Sequence, residues 1–323
     1  METINLPDKK GKIMIKRRFK WFTLFRYLGI LLFIVVISQT NLRELWGWMK
    51  TVDVWMIIVA LLLQVILLFI KSCRWFLLNE KAEERDKVYQ RFGEFMEAYA
   101  LGAVTPGRMG ELFKAGHARG RPGVISAGLL VVSERGFDLS IFFCVAGISL
   151  IFSNLPGLSP IVKYLLLLAG LAGIAIAIAI QTVPVVMRWT GWLMKRLRIM
   201  SRDQSLEFRP RSSGSLWAFI ILSILSNLTA FLSFYFTALA VHLGLGFIKI
   251  SGSVAITGVI NTIPITIMGI GTRDVTLLYL LKDVPQAQVI AFSGLILLVF
   301  QVFGGVLALV GGEFFLQLAR RKR

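Results

Sequence analysis

Three short stretches of the chain carry charged side chains at spacings that suit phosphate. In "TPGRMGELFK", residues 105–114, Arg108, Glu111 and Lys114 recur every three residues. A short helix restarting after Pro106 therefore carries all three on one face near its N-terminus. A helix N-terminus, an arginine fork and a lysine are groups that hold a phosphate. The other reading is an ordinary cytoplasmic loop with a solvated charged face. In "VVSERGFDLS", residues 131–140, Glu134 and Asp138 lie four apart on one helical face, while Arg135 points about 100° away. Acids at a helix start are favoured by its dipole, yet two on one face repel unless a cation or proton sits between them. In "NTIPITIMGIGTRDVTLL", residues 261–278, Pro264, Gly269 and Gly271 break an apolar run just before Arg273 and Asp274. That pair either neutralises itself at the outer surface or is carried inward, where each charge needs further partners. Glu94 and Glu97 form one more close pair of acids, and acids near a membrane interior are candidates for a polar cavity.

Other chemistries find no support in the pattern. The chain has no GxSxG, HExxH or GxxxxGK[ST] motif and no cysteine cluster. His117 and His242 are isolated, and Cys73 and Cys144 have no plausible disulfide arrangement and read as packing residues. The acids lack a metal-binding spacing. No cofactor, no metal and no catalytic residue is expected. Asn227 and Thr229 match a glycosylation sequon but fall within an apolar run, which discounts it.

The elements that must position these residues are membrane helices. Of 323 residues, 56% are hydrophobic and 17% charged, with a mean hydropathy of +0.73, whereas a soluble domain carries about a quarter charged residues. Crossing roughly 30 Å of hydrocarbon takes about 20 helical residues, and no strand alternation suggests a barrel. Apolar runs at 21–38, 54–78, 137–152, 161–186, 216–241 and 287–318 predict about six full spans. The basic segment 1–20 precedes the first run, which is long and lacks a small-residue cleavage site, so it is expected to be retained. The organisation expected is a basic N-terminal segment 1–20, one transmembrane domain 21–318 and a basic tail 319–323. The net charge of +18 brackets the apolar runs, which favours anionic lipid headgroups over nucleic acid as the counter-charge.

Two stretches do not fit single spans. Residues 92–104 and 124–133 flank the first charged motif and are each too short to cross, and 250–281 is broken. Seven Lys or Arg lie in 1–20, six in 71–91, seven in 188–211 and four in 320–323, against Arg43, Lys50, Lys163, Lys249 and Lys282 in the alternate connections. By the positive-inside rule both termini are cytoplasmic. The alternation closes if 92–135 and 250–283 are re-entrant hairpins entering from opposite faces. The halves 21–153 and 161–318 then read as an inverted-topology repeat, which sets binding sites near the midplane where broken helices meet. The alternative is that 250–283 forms two short full spans, which keeps the parity and removes the symmetry.

"TPGRMGE", then "SERGFD", then "PITIMGIGTRD" resemble the ordered motifs PGRxGE, ERxxD and a glycine-rich turn ending in Arg-Glu of the lysylphosphatidylglycerol synthase transmembrane region, or flippase-like domain family. The resemblance covers nearly the whole chain. It departs from the family's pattern where the usual Gly-Gly reads Met268-Gly269 and the usual glutamate is Asp274. In the family this region occurs alone or fused to a soluble aminoacyl-lipid synthase domain, and no soluble segment here exceeds a few tens of residues. The stand-alone form is expected. The resemblance implies movement of a lipid headgroup across the cytoplasmic (inner) membrane. Arg108 and Arg273 are then expected to contact phosphate, and Glu111, Glu134, Asp138 and Asp274 to orient them or carry protons, with Lys114 and Arg135 in the same substrate-binding set. The rival classes are a membrane transferase on a lipid-linked substrate and a structural partner of a lipid-synthesis complex, and a homo-oligomer is compatible with each.

Overall fold

The structure, a computed structural model, describes residues 38, 41–78, 88–117, 123–152, 160–183, 189, 192, 196, 212–263, 266 and 268–321. The first expected span, 21–38, lies outside the described residues except for Ser38. The described residues are mostly helical and contain no strand, and five helices are long and apolar enough to cross a membrane: Val54–Leu78, Gly128–Phe152, Ile161–Thr182, Ser213–Ala240 and Gln286–Arg321.

Helix α1, Leu42–Lys50, buries none of its residues and leaves Trp46 exposed. Asn41 starts it by accepting hydrogen bonds from the Arg43 and Glu44 amides at 3.1 and 3.3 Å. Helix α2, Val54–Leu78, begins where Asp53 accepts from the Trp55 amide at 2.9 Å. Its last turns carry Lys71 and Arg74. Helix α3, Val88–Val104, has 17 residues. The chain then enters a tight three-residue-per-turn segment at Pro106–Leu112 and the single-turn helix α4, Phe113–His117. Gly107 and Arg108 both take left-handed conformations, with φ of 58° and 55°, so the chain kinks at the first charged motif.

Helix α5 runs unbroken over Gly123–Phe152. The stretches at 124–133 and 137–152, read separately from the sequence, are thus one helix. The charges between them do not interrupt it because other elements neutralise Glu134, Arg135 and Asp138. Helix α6 is Pro160–Thr182 and α7 is Ser213–Ala240. Helix α8, Phe247–Thr262, has 16 residues and precedes a second left-handed turn at Met268 and Gly269, with φ of 57° and 71°. Helix α9, Thr272–Leu280, follows it, and α10 occupies Gln286–Arg321 with a wider turn at Leu297–Phe303. Such a wide turn inside a helix turns side chains out of register, and here it contains Phe300 and Gln301.

The long helices pair in a reciprocal way. α2 lies along α7, α3 along α10 and α5 along α8, while α6 packs on α5. Replacing α2, α3 and α5 by α7, α8 and α10 returns the same three pairings. Two apolar clusters hold the bundle, one including Leu67, Phe234, Leu277 and Phe300, the other Leu68, Trp75, Phe95 and Phe137. Adjacent residues of α2, Leu67 and Leu68, belong to different clusters.

Candidate functional site

A buried ion cluster stands on one side of the bundle. Arg74 of α2 is 1% exposed. Its Nη1 and Nη2 donate to the Asp138 oxygens at 2.6 and 2.9 Å, and its Nε and Nη2 donate to Glu134 Oε1 at 3.2 and 2.8 Å. The cation that two acids four apart on α5 require is therefore a guanidinium from another helix, and its planar fork spans both. Lys71, one turn earlier on α2, donates to Asp138 at 3.2 Å, and Asn227 of α7 donates to the same carboxylate at 3.0 Å. Lys114 donates to Glu134 at 2.9 Å and lies 3.7 Å from Glu111. Its ammonium also sits 5.0 and 5.1 Å from the ring centres of Trp75 and Phe95.

Glu111 joins this cluster to the kinked turn. Arg135 of α5 pairs with it directly, and Arg108 stands 3.9 Å away. Arg108, Glu111 and Lys114 do lie together, with Glu111 between the two cations at 3.9 and 3.7 Å, although Arg108 sits in the left-handed kink rather than in a regular helix. Arg108 lies over the Tyr99 ring at 5.3 Å. Thr105 fixes the turn: its hydroxyl accepts from the Gly110 amide at 2.7 Å.

The second motif is hydrogen-bonded differently. Arg273 Nε donates to Ser293 at 2.7 Å, its Nη1 reaches the Met268 carbonyl at 3.5 Å, and the Asp274 carboxylate is 3.8 Å away. Asp274 accepts from the Gly271 amide at 2.8 Å and from the Ser293 hydroxyl, so it caps its own helix α9. Thr272 donates to Asn261 at 2.8 Å, closing the turn onto α8.

Between the two motifs lies a cavity of about 490 Å³. Lys71, Arg108, Glu111, Arg135, Asp138 and Asn227 line one part, and Asn261, Thr266, Arg273 and Gln301 another. Leu67, Phe142, Phe234, Ile296 and Phe300 supply apolar wall. Of the residues singled out in the sequence, Arg108, Glu111, Arg135, Asp138 and Arg273 reach the cavity. Lys114, Glu134 and Asp274 do not line it, and each is held by the partners named above. Glu94 accepts from Arg91 and Gln90 at 3.1 and 2.9 Å and is not part of the lining.

Sequence reasoning missed Lys71, Arg74, Tyr99 and Asn227. A signal for two of them was present: Lys71 and Arg74 are three apart at the end of an apolar helix, matching the face that Glu134 and Asp138 offer.

These features define a multi-pass helical membrane protein built around a charged internal cavity. The family model described as "Lysylphosphatidylglycerol synthase TM region" matches residues 23–308, and the chain belongs to that family. No curated protein and no solved structure matches the chain.

Proposed function

We propose that this protein moves a lipid across the cytoplasmic membrane by passing its anionic headgroup through the cavity between the two kinked motifs while the acyl chains stay in the bilayer. The observation that carries this reading is that Arg108 and Arg273, from motifs in opposite halves of the chain, line the same cavity. Membership of a family named for the membrane region of a lipid synthase supports a lipid as the substrate. Helices α3 and α8, with 17 and 16 residues, are shorter than a typical span, and left-handed residues follow each, Gly107 and Arg108 after α3 and Met268 and Gly269 after α8. That supports re-entrant chain at each turn, since irregular backbone at membrane depth survives only when buried in protein or lining a wet cavity, although the arm expected at 124–133 belongs instead to the continuous helix α5. The reciprocal pairing of α2 with α7, α3 with α10 and α5 with α8 supports an inverted-topology repeat, and the Lys and Arg distribution supports cytoplasmic termini. Arg108 and Arg135 receive the headgroup on the cytoplasmic side and Arg273 on the outer side. Asp138, Glu134 and Glu111 orient the guanidinium groups.

A transferase would instead use Glu111 or Asp138 as a general base on a lipid-linked donor. The purified protein in liposomes separates the two: labelled lipid that changes leaflet and is chemically intact by mass spectrometry supports transport. A covalently altered lipid supports the transferase, and neither result supports a structural role in a lipid-synthesis complex.

A further inference from the structure

We propose that the cytoplasmic part of the cavity is built for a phosphate group bearing two negative charges, a phosphomonoester or a diphosphate, in preference to the singly charged phosphodiester of ordinary glycerophospholipids. The inference rests on the transport reading for the source of the group, but its charge follows from the cluster alone. Among the described residues, the cluster joins Lys71, Arg74, Arg108, Lys114 and Arg135 to Glu111, Glu134 and Asp138. Five cations meet three carboxylates.

The surplus sits on the cavity side. Arg74 and Lys114, each 1% exposed, lie closed against Glu134 and Asp138 and do not line the cavity. Lys71, Arg108 and Arg135 do line it, together with Asp138 and Glu111. Asp138 is shared between Arg74 and Lys71, so the cluster as a whole keeps two positive charges over. Arg135 takes Glu111, and at 3.9 Å Arg108 is beyond hydrogen-bond range of it. Tyr99 stacking and a left-handed backbone hold Arg108 in that position, and backbone strain of this kind persists only where surrounding structure fixes it. Arg108 and Arg135 are each about one-third exposed toward that space, and two surplus positive charges lining one cleft with apolar walls attract an anion to it. A dianion balances the pair, whereas a monoanion leaves one charge over. Two arginine forks converging on one space can each bind a phosphate edge. The apolar wall formed by Leu67, Phe142 and Phe234 gives the carbon skeleton attached to that phosphate a dry surface.

The test is binding rather than transport. The full chain in phosphatidylcholine nanodiscs is titrated by calorimetry with dihexanoyl phosphatidic acid, a monoester, and with dihexanoyl phosphatidylglycerol, a diester, between pH 5 and pH 8. A phosphomonoester gains its second charge near pH 6, while a diester does not titrate there and controls for changes in the protein. Monoester affinity is expected to rise about tenfold or more across this range, the size of a charge-assisted hydrogen bond, and diester affinity to stay flat. Arg108→Gln and Arg135→Gln should each remove most of the rise, with folding verified by the thermal transition. Equal affinity for the two lipids, a flat monoester profile, or an undiminished rise in both folded variants overturns the inference. Inorganic phosphate and pyrophosphate complete the series. If they bind as tightly as phosphatidic acid with the same pH dependence, the double charge stands and the lipid source fails. If the diester binds equally well and is transported, the double charge fails and the transport reading stands.

Discussion

Arg74 and Asp138 are joined by two parallel hydrogen bonds, Nη1 to Oδ1 at 2.6 Å and Nη2 to Oδ2 at 2.9 Å, between helices α2 and α5. The same guanidinium also holds Glu134. Removing it takes the shared guanidinium from two buried carboxylates, leaving Glu134 to Lys114 and Asp138 to Lys71 and Asn227, a loss of up to roughly 3–5 kcal/mol. Arg74→Met is expected to lower the thermal transition of the detergent-solubilised protein sharply and to reduce its monodisperse yield. A variant with wild-type stability would show that Arg74 does not hold the helices together.

Gly110 sits where the kinked turn crosses α3. A Cβ there would be driven into the backbone of Leu101 and would lie 2.6 Å from the Gly102 nitrogen, and neither is a flexible side-chain end. Gly110→Ala should cost about 1–3 kcal/mol by overpacking and displace Arg108 and Glu111 together. Thermal unfolding checks the first effect. Weaker binding of dihexanoyl phosphatidic acid checks the second.

Met268 has a φ of 57°, a conformation that costs a non-glycine residue about 1–2 kcal/mol. A left-handed turn favours glycine, and here Met268 precedes Gly269 in it. Met268→Gly is expected to raise stability by up to about 1 kcal/mol, offset in part by the greater freedom of glycine in the unfolded chain. The change keeps the backbone carbonyl that accepts from Arg273 and Gln301. A lower melting temperature would show that the Met268 side chain packs in a way that outweighs its backbone strain.

Met109 and Thr262 line the cavity from the two halves of the chain. With Cys73 and Cys144 replaced by alanine, Met109→Cys and Thr262→Cys should each react with a small methanethiosulfonate reagent and more slowly with a bulky impermeant maleimide. Saturating dihexanoyl phosphatidic acid should slow both reactions, because one ligand fills one cavity. Protection of only one position would separate the two motifs into different sites.

The helical membrane character and the three charged motifs were legible because long apolar runs and charges next to Pro and Gly announce themselves in one dimension. The grouping of Arg108, Glu111 and Lys114 was readable from spacing alone, and the need for a cation between Glu134 and Asp138 followed from their shared face. The identity of that cation did not. Arg74 and Lys71 close an apolar helix whose basic residues also satisfy the positive-inside rule, so nothing local distinguishes an interfacial cation from a buried clamp. Only the packing of α2 against α7 and the kinked turn beside α5 sets them against Asp138. Asp274 shows the converse. It read as a member of the binding set, yet its oxygens are occupied by the Gly271 amide, a local cap of its own helix, and by the Ser293 hydroxyl, a contact that depends on α10 folding back over α9.

Arg108 carries the central claim, since it is the cavity-lining arginine of the first motif and is about one-third exposed with a 3.9 Å approach to its nearest acid. Arg108→Lys keeps the charge and loses the planar fork. The decisive measurement takes thermal stability and liposome translocation of an intact labelled phosphomonoester lipid from one sample of that variant. The account predicts a thermal transition within about 0.5 kcal/mol of wild type and translocation reduced about tenfold or more. Normal translocation at normal stability would remove Arg108 from the path, and lost stability would make it a residue of the fold instead.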